Sequence, residues 1–394
     1  MKSSHYLSLL FILGLALSLI IAPSLMATTR TQIAFAQADH ANGQNKRTSI
    51  IAGDTRELGK FEGLATKPQP WEDGMRTDPT PNTYEWWYFQ GAMKDNSTVI
   101  VIFFTKPWMV TSLPFSPYLS IVITAPNGTI FRDDIQSNTD QFTAARGQTN
   151  VTMGNNWVRG NLTTYELHIK SNKRFGADLV FTRHGQSTRG GGGEGTGKFY
   201  YDPSLTQYAG WFVAQPSATV QGVLSYDGQP HHVQGIGYHD HNWGTVEFNK
   251  VLDRWYWTGG TIGNYTIVAA VQVASAFYGY QQMPGFYLAK GNQVLVEEMK
   301  HLTVQTAGNR TAPDGNTYPD RVNYHWQNGT NTVDLSLSDP RIIAQFNTVG
   351  VTNATTIGVP HYIRFLGTGE LNVNIGGTNE TVSSPMIWEI NWGH

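Results

Sequence analysis

The 394-residue chain contains no cysteine, which removes disulfides, thiolate metal sites and cysteine nucleophiles at once. Charge is scarce: Asp, Glu, Lys and Arg make up 14% of the residues and the net charge is -2. No run of Lys and Arg supplies the concentrated basic surface that a phosphate backbone needs, so nucleic acid is excluded as a partner. Long amphipathic runs are missing, and helical bundles with them. No serine sits in a nucleophile elbow, so serine-hydrolase chemistry has no support. Only one long apolar run exists, residues 6–22, and nothing after it is long and apolar enough to span a bilayer.

That run follows Lys2 and precedes Ala34-Phe35-Ala36, a small-x-small cleavage pattern, and reads as an export signal over residues 1–36. Retention as a membrane tether is the alternative. Nine Asn-x-Ser/Thr acceptors, at Asn96, Asn127, Asn150, Asn161, Asn264, Asn309, Asn328, Asn353 and Asn379, point the same way, towards a secreted or cell-surface glycoprotein.

What is abundant is aromatic residues, at 12%, and glycine, with 41 residues. Residues 37–82 are polar and irregular, a linker or an arm laid across the folded body. Beyond them, short strand-like runs alternate with turn signals. Examples are residues 98–105, 118–124, 165–170, 219–226, 232–238, 332–337, 361–366 and 386–392, with Asn127-Gly128, Asp227-Gly228 and Asn328-Gly329 among the turns. Short helices fit only at 204–208 and 340–346. Such a chain is all-β, and closing its antiparallel sheets into barrels removes exposed edges.

An internal echo divides it. Glu85-Trp86-Trp87-Tyr88-Phe89-Gln90-Gly91 runs into a turn and the apolar strand from Thr98, as Arg254-Trp255-Tyr256-Trp257-Thr258-Gly259-Gly260 runs into the strand from Thr266. Two β-barrel domains in tandem, 83–248 and 249–394, are expected. The glycine-rich tract 187–197 lacks the Ser/Thr and helix of a phosphate loop and reads as a mobile surface loop.

The densest chemistry lies in Gly237-Tyr238-His239-Asp240-His241-Asn242-Trp243-Gly244. On a strand, His239, His241 and Trp243 share one face and Tyr238, Asp240 and Asn242 the other, so one set lines any cavity. Asp240 is the candidate acid, because desolvation among aromatics raises a carboxyl pKa towards neutrality. His239, His241 and Tyr238 are candidates to position water or reload the proton. Glu85, Trp86, Trp87, Tyr88, Asn242 and Trp243 are candidate ligand contacts, the indoles being suited to a developing cation. The bland alternative has Asp240 and His241 fixing a corner by hydrogen bonds. A zinc site at His239 and His241, with His231, His232 or Asp240, lacks a convincing third ligand, so no metal and no cofactor are expected. Paired carboxylates, Glu85 with Asp240, and a tryptophan sugar-binding or adhesion face remain further alternatives.

These motifs, together with Phe199-Tyr200-Tyr201-Asp202-Pro203, resemble the landmarks of the AttH-like and carotenoid 1,2-hydratase (hydroxyneurosporene synthase) superfamily, and are similar to fungal decalin-forming Diels-Alderases. The resemblance covers roughly residues 80–394 and is most specific over 240–244. It implies two lipocalin-like barrels holding an apolar small molecule of isoprenoid or polyene type. The activity implied is cofactor-independent hydration, isomerisation or cyclisation, with a non-enzymatic carrier or cell-envelope component as the other reading.

Overall fold

A computed structural model describes residues 49–79, 82–106, 111–312, 315–347 and 361–392. The apolar run at 6–22, the pattern at 34–36 and the acceptor Asn353 lie outside them. Two large antiparallel sheets dominate. The first runs, edge to edge along its main path, Ile130–Gln136, Tyr118–Thr124, Thr98–Phe104, Tyr84–Met93, Gln229–Gly244, Tyr208–Tyr226, Phe175–His184, Thr164–Ile169, Asn156–Gly160, Asn150–Met153 and Phe142–Ala144. The second runs Gln293–Glu298, Gln282–Lys290, Tyr265–Ala274, Leu252–Ile262, Thr378–Trp392, His361–Ile375, Asn331–Asn347, Arg321–Asn328 and Leu302–Ala307.

Both sheets obey one plan. An aromatic strand opens a four-strand meander and pairs on its other side with the last strand of its sheet. Tyr84–Met93 and Leu252–Ile262 hold that same place, so the echo in sequence is an echo in topology. The architecture is all-β, with lipocalin-like curled antiparallel sheets.

Strand alternation sorts the side chains into three layers. Trp87, Phe89, Phe103, Tyr165, Phe181 and Trp243 fill the concave face of the first sheet. Phe286, Trp326, Phe365 and Trp388 do so in the second. Between the sheets, Tyr88, Val213 and Tyr238 from the first pack with Trp257, Tyr287, Ile343 and Ile387 from the second. Thr124 Oγ1–H also donates to the Ile343 carbonyl across this junction at 2.8 Å. Residues 46–394 thus behave as one compact unit.

Several expectations change. Residues 340–346 are not helical. They belong to Asn331–Asn347, where Pro340 sits at a register shift between Ser338 and Arg341, so the missing N–H falls where the ladder is already interrupted. Pro216 takes the same kind of place in Tyr208–Tyr226, within the shift between Gln215 and Ala218. Residues 204–207 form a turn on the Asp202 carboxylate, which accepts from the Thr206 hydroxyl at 2.8 Å and the Gln207 N–H at 2.7 Å, and residue 208 opens the strand Tyr208–Tyr226.

The glycine tract is not a surface loop. Thr188 and Arg189 are fully buried, and Gly191 and Gly285 lie where an added Cβ would meet backbone of the facing segment at 2.6 and 2.5 Å. Its glycines allow close packing against Trp211 and the second sheet. The arm is held to the same region. Ile51–Ala52 pairs with Lys198–Tyr200, Arg56–Phe61 is a short helix, and the 3-10 turn Pro70–Asp73 buries Glu72 and Asp73. Glu72 forms a buried ion pair with Arg189, at 2.7 Å.

Candidate functional site

Gln229–Gly244 is central in the first sheet, between Tyr84–Met93 and Tyr208–Tyr226, so both its edges are paired and its side chains alternate between the two faces of the sheet. The ten candidate residues divide equally between those faces.

Glu85, Trp87, His239, His241 and Trp243 point into the first sheet's concave side. His239 stacks on Phe89, with ring centroids 3.8 Å apart and planes 9° apart. Its Nδ1–H donates to the Tyr88 carbonyl at 2.9 Å and its Nε2–H to Asp73 Oδ2 at 2.9 Å. Both ring nitrogens thus face oxygen acceptors. His241 stacks on Trp87 at 4.7 Å, donates from Nε2 to Glu85 Oε1 at 2.8 Å, and sets Nδ1 3.5 Å from Asp73 Oδ1.

Asp73 also accepts from the Tyr165 and Thr149 hydroxyls. Burial pushes its carboxyl up, yet the His239 and His241 charges and these hydrogen bonds outweigh burial and hold it below the ordinary 3.8. Glu85 is equally engaged. It accepts from the Arg76 N–H at 2.6 Å, the Thr77 N–H at 2.8 Å and the Thr77 hydroxyl at 2.6 Å. This face is a buried clasp that fastens the arm to the sheet.

Trp86, Tyr88, Tyr238, Asp240 and Asn242 point towards the second sheet. Asp240 Oδ2 accepts from Trp211 Nε1–H at 2.9 Å and from the Tyr238 hydroxyl at 2.7 Å, while Oδ1 accepts from Asn242 Nδ2–H at 2.9 Å. Burial raises its carboxyl to about 7, against the opposing pull of the Trp211 and Tyr238 hydrogen bonds. The walls are aromatic: Tyr238 meets Trp257 edge-on at 4.8 Å and Tyr88 at 6.1 Å.

The second sheet answers with Arg364, Glu389 and Tyr362, none of which the sequence reading singled out. Register places Arg364 beside Glu389, and the two are ion-paired. Glu389 also accepts from Trp255 Nε1–H at 3.0 Å and from the Tyr362 hydroxyl. The guanidinium lies 4.6 Å from the Tyr88 ring centroid and 5.8 Å from that of Trp257. Arg364 is 1% exposed, yet among the described residues its Nε and Nη1 have no hydrogen-bond partner, and neither has the side-chain amide of the buried Asn391.

This division settles two alternatives. Glu85 and Asp240 stand on opposite faces of the sheet, so they cannot act as a carboxylate pair across one bond. Trp87 and Trp257 are buried, and Trp86 and Trp255 pack against the aromatic clusters, so these four tryptophans present no flat face to a sugar. Among the described residues no group of three or more His, Asp or Glu is arranged to hold a metal. A shallow surface depression lined by Val180, Gln221, Gly222, His232, Val233 and Gln234 carries a single ionisable group and no counterpart.

Residues 186–337 match the family model described as Diels-Alderase-like. A hydroxyneurosporene dehydrogenase of Chlorobaculum tepidum is 25% identical over 214 residues, 45% of this chain and 53% of that protein. A quinolone epoxide rearrangement protein of Penicillium thymicola is 34% identical over 55 residues, 14% of this chain and 15% of that protein. The matched stretches therefore span about half or less of these relatives. Among solved structures, an AttH protein of Nitrosomonas europaea superposes with a TM-score of 0.60 at 13% identity, covering 82% of this chain and 96% of that one. CghA with Sch210972 gives 0.55 at 15% identity, covering 87% and 98%. Kievitone hydratase from Nectria haematococca gives 0.51 at 15% identity, covering 88% and 94%. The shared fold is that of the AttH-like proteins.

Proposed function

Taking the chain as AttH-like in fold and Diels-Alderase-like over residues 186–337, we propose that it is an exported protein that binds an apolar, oxygen-bearing isoprenoid or polyene-type molecule between its two sheets. There it converts the ligand without a cofactor, by hydration, isomerisation or cyclisation, with Asp240 as the acid. The observation that carries this reading is a buried carboxyl raised to about 7 among Tyr238, Trp211, Tyr88 and Trp257. Such an acid is about half protonated at neutral pH and faces surfaces that tolerate positive charge.

In a hydration, Asp240 gives its proton to one alkene carbon and the π pair forms the new C–H bond. The other carbon becomes a cation held against the aromatic faces. Water adds to it, and the proton that the water sheds returns to the Asp240 carboxylate, so the acid is regenerated. Arg364 Nε and Nη1, buried and unpartnered, suit an oxygen acceptor on the same ligand. The relatives' names speak of hydroxyneurosporene, a quinolone epoxide and kievitone. All are molecules of that general character, an unsaturated skeleton carrying oxygen.

One observation favours the carrier reading. Three donors, from Trp211, Tyr238 and Asn242, already engage the two Asp240 oxygens, as a purely structural carboxyl would have it. Native mass spectrometry with lipid extraction separates the two. The protein is purified from its own membranes or medium, beside an Asp240→Asn variant. An enzyme releases a hydrated or rearranged product while the variant retains the unchanged precursor. The same unaltered ligand in both makes the protein a carrier and Asp240 structural.

A further inference from the structure

Two large aromatic side chains stand largely in solvent at one turn, Phe277 resting edge-on against Tyr278 at 4.9 Å. Residues 276–278 form a single 3-10 turn closed by Gly279 in the left-handed region. On either side of that glycine, Phe277 is 65% exposed and Tyr280 51% exposed. The turn is rigidly presented. Tyr278 points inward and packs edge-on against Tyr201 at 5.4 Å, and the Tyr278 and Tyr280 N–H groups both donate to the Ser275 carbonyl. Tyr280 itself adopts a φ of +57°, a conformation that costs a non-glycine residue free energy. The fold therefore holds this ring outward at some cost.

The surroundings say what such a tip meets. From Trp255 to Ala289 the chain contains no Asp, Glu, Lys, Arg or His, so the turn and its flanking strands bring no charge of their own, and the one carboxylate acting on Tyr278 is Asp202, from the neighbouring segment. Two rings offer far less surface than the roughly 1,200 Å² a specific protein interface buries. An interfacial contact with lipid asks for less, because amphipathic rings settle at the headgroup boundary without a complementary partner.

Position points the same way. The described chain begins at Ser49, and the next residue is pinned to this turn: the Ile50 N–H donates to Gln281 Oε1 at 3.3 Å and Gln281 Nε2–H donates to the Ile50 carbonyl at 3.2 Å. Ile51, 36% exposed, adjoins it. The 48 residues upstream, which include the apolar run at 6–22, therefore join the body beside the exposed aromatics.

We propose that this turn is a membrane contact, with Phe277 and Tyr280 entering the headgroup–acyl boundary of a neutral lipid surface beside the point where the N-terminal chain joins the body. The contact acts in addition to any attachment through residues 6–22 and does not depend on Asp240 or on catalysis.

The absence of native cysteine allows one spin label per chain. In the full-length protein, Phe277→Cys carries a nitroxide at the tip. Lys94→Cys carries one at the far turn of Tyr84–Met93, about 30 Å along the strand from Tyr84, the residue that packs beside Tyr278 and Ile50. With phosphatidylcholine vesicles, the label at 277 should become accessible to oxygen and protected from a water-soluble nickel relaxant, while the label at 94 stays in water. The unlabelled Phe277→Ser/Tyr280→Ser variant should lower vesicle partitioning about tenfold, with little change between 50 and 500 mM salt.

A label at 277 that stays water-accessible in vesicle-bound protein overturns the proposal. Protection without vesicles also overturns it. In a monomer it assigns the tip to the chain's own apolar run, and in a concentration-dependent dimer to a second copy. All the substituted side chains are exposed, so folding is not in question.

Discussion

The two faces of Gln229–Gly244 carry similar residues to opposite ends. On the concave face the carboxylates have basic partners: Asp73 lies between two imidazoles and Glu85 holds His241 and the Arg76–Thr77 backbone, while Asp73 Oδ1 and His241 Nδ1 face each other at 3.5 Å without a hydrogen bond. On the face towards the second sheet, Asp240 has only neutral hydrogen-bond donors, and Arg364 keeps two nitrogens unengaged. The difference shows in the carboxyls. Both are buried, but countercharge drives Asp73 below its ordinary value, whereas at Asp240 desolvation outweighs the Trp211 and Tyr238 hydrogen bonds and the weaker pull of His239 and drives the carboxyl up to about 7. Two neighbouring histidines thus draw the eye to the face where both are buried in ion pairs with Asp73 and Glu85. The proposed acid, Asp240, stands one residue away, on the other side of the sheet.

Breaking the concave face should give the largest effect. Asp73→Ala leaves two buried imidazoles facing a methyl group and removes the acceptor of Tyr165 and Thr149, with an expected loss of about 3–5 kcal/mol in urea or thermal unfolding. The folded pKa of Asp73 lies below its unfolded value, so its contribution is complete above about pH 4 and disappears as pH falls through the folded pKa. Wild type and variant should therefore converge in acid. Equal stability at pH 7 would show that the clasp does not hold the arm.

Asp240 should behave in the opposite sense and somewhat more weakly. Its folded pKa is raised, so the term favours the native state below the unfolded value of 3.8 and is lost as pH climbs to about 7. Asp240→Asn removes that loss. The variant should gain up to about 3 kcal/mol on wild type by pH 8, with the gain shrinking towards pH 4. Proton-linked unfolding curves at pH 4, 6 and 8 measure it. A variant destabilised alike at every pH would mean that Asp240 is an ordinary paired carboxylate.

How much of this is legible in the sequence follows from which physics is local. Alternation along a strand is local, so the separation of His239 and His241 from Asp240 can be read from spacing alone. The aromatic echo between 85–91 and 254–260 is legible for a related reason, since equivalent strands need equivalent rings. Asp73 is not legible. It lies 166 residues from His239, in a polar stretch with no period, and only the closing of the sheet brings the two together. Arg364 and Glu389 did leave a signal, each being a lone charge within an apolar strand, Tyr362-Ile363-Arg364-Phe365 and Ile387-Trp388-Glu389-Ile390. A buried charge needs a partner, and two such strands in one chain suggest each other. The glycine tract misleads because glycine serves mobile loops and tight packing equally well. Only its neighbours distinguish the two.

The smallest effect tests whether the faces are independent. Thr77 is buried, and its hydroxyl donates to Glu85 Oε2 at 2.6 Å. Thr77→Val keeps the shape and deletes that one donor, while Glu85 retains the two backbone N–H groups and His241. A charge-assisted hydrogen bond of this kind is worth about 1–2 kcal/mol, to be read from the urea midpoint at unchanged denaturant slope. The more informative reading is the Asp240 titration in the same variant. Glu85 and Asp240 lie on opposite faces, and the sheet between them is held by its own ladder to Tyr84–Met93 and Tyr208–Tyr226. A concave-side loss of this size should leave the titration midpoint in place. A midpoint that moves with stability would mean that the clasp sets the geometry of the carboxyl across the strand, and the arm would then count as a positioning element for the proposed site.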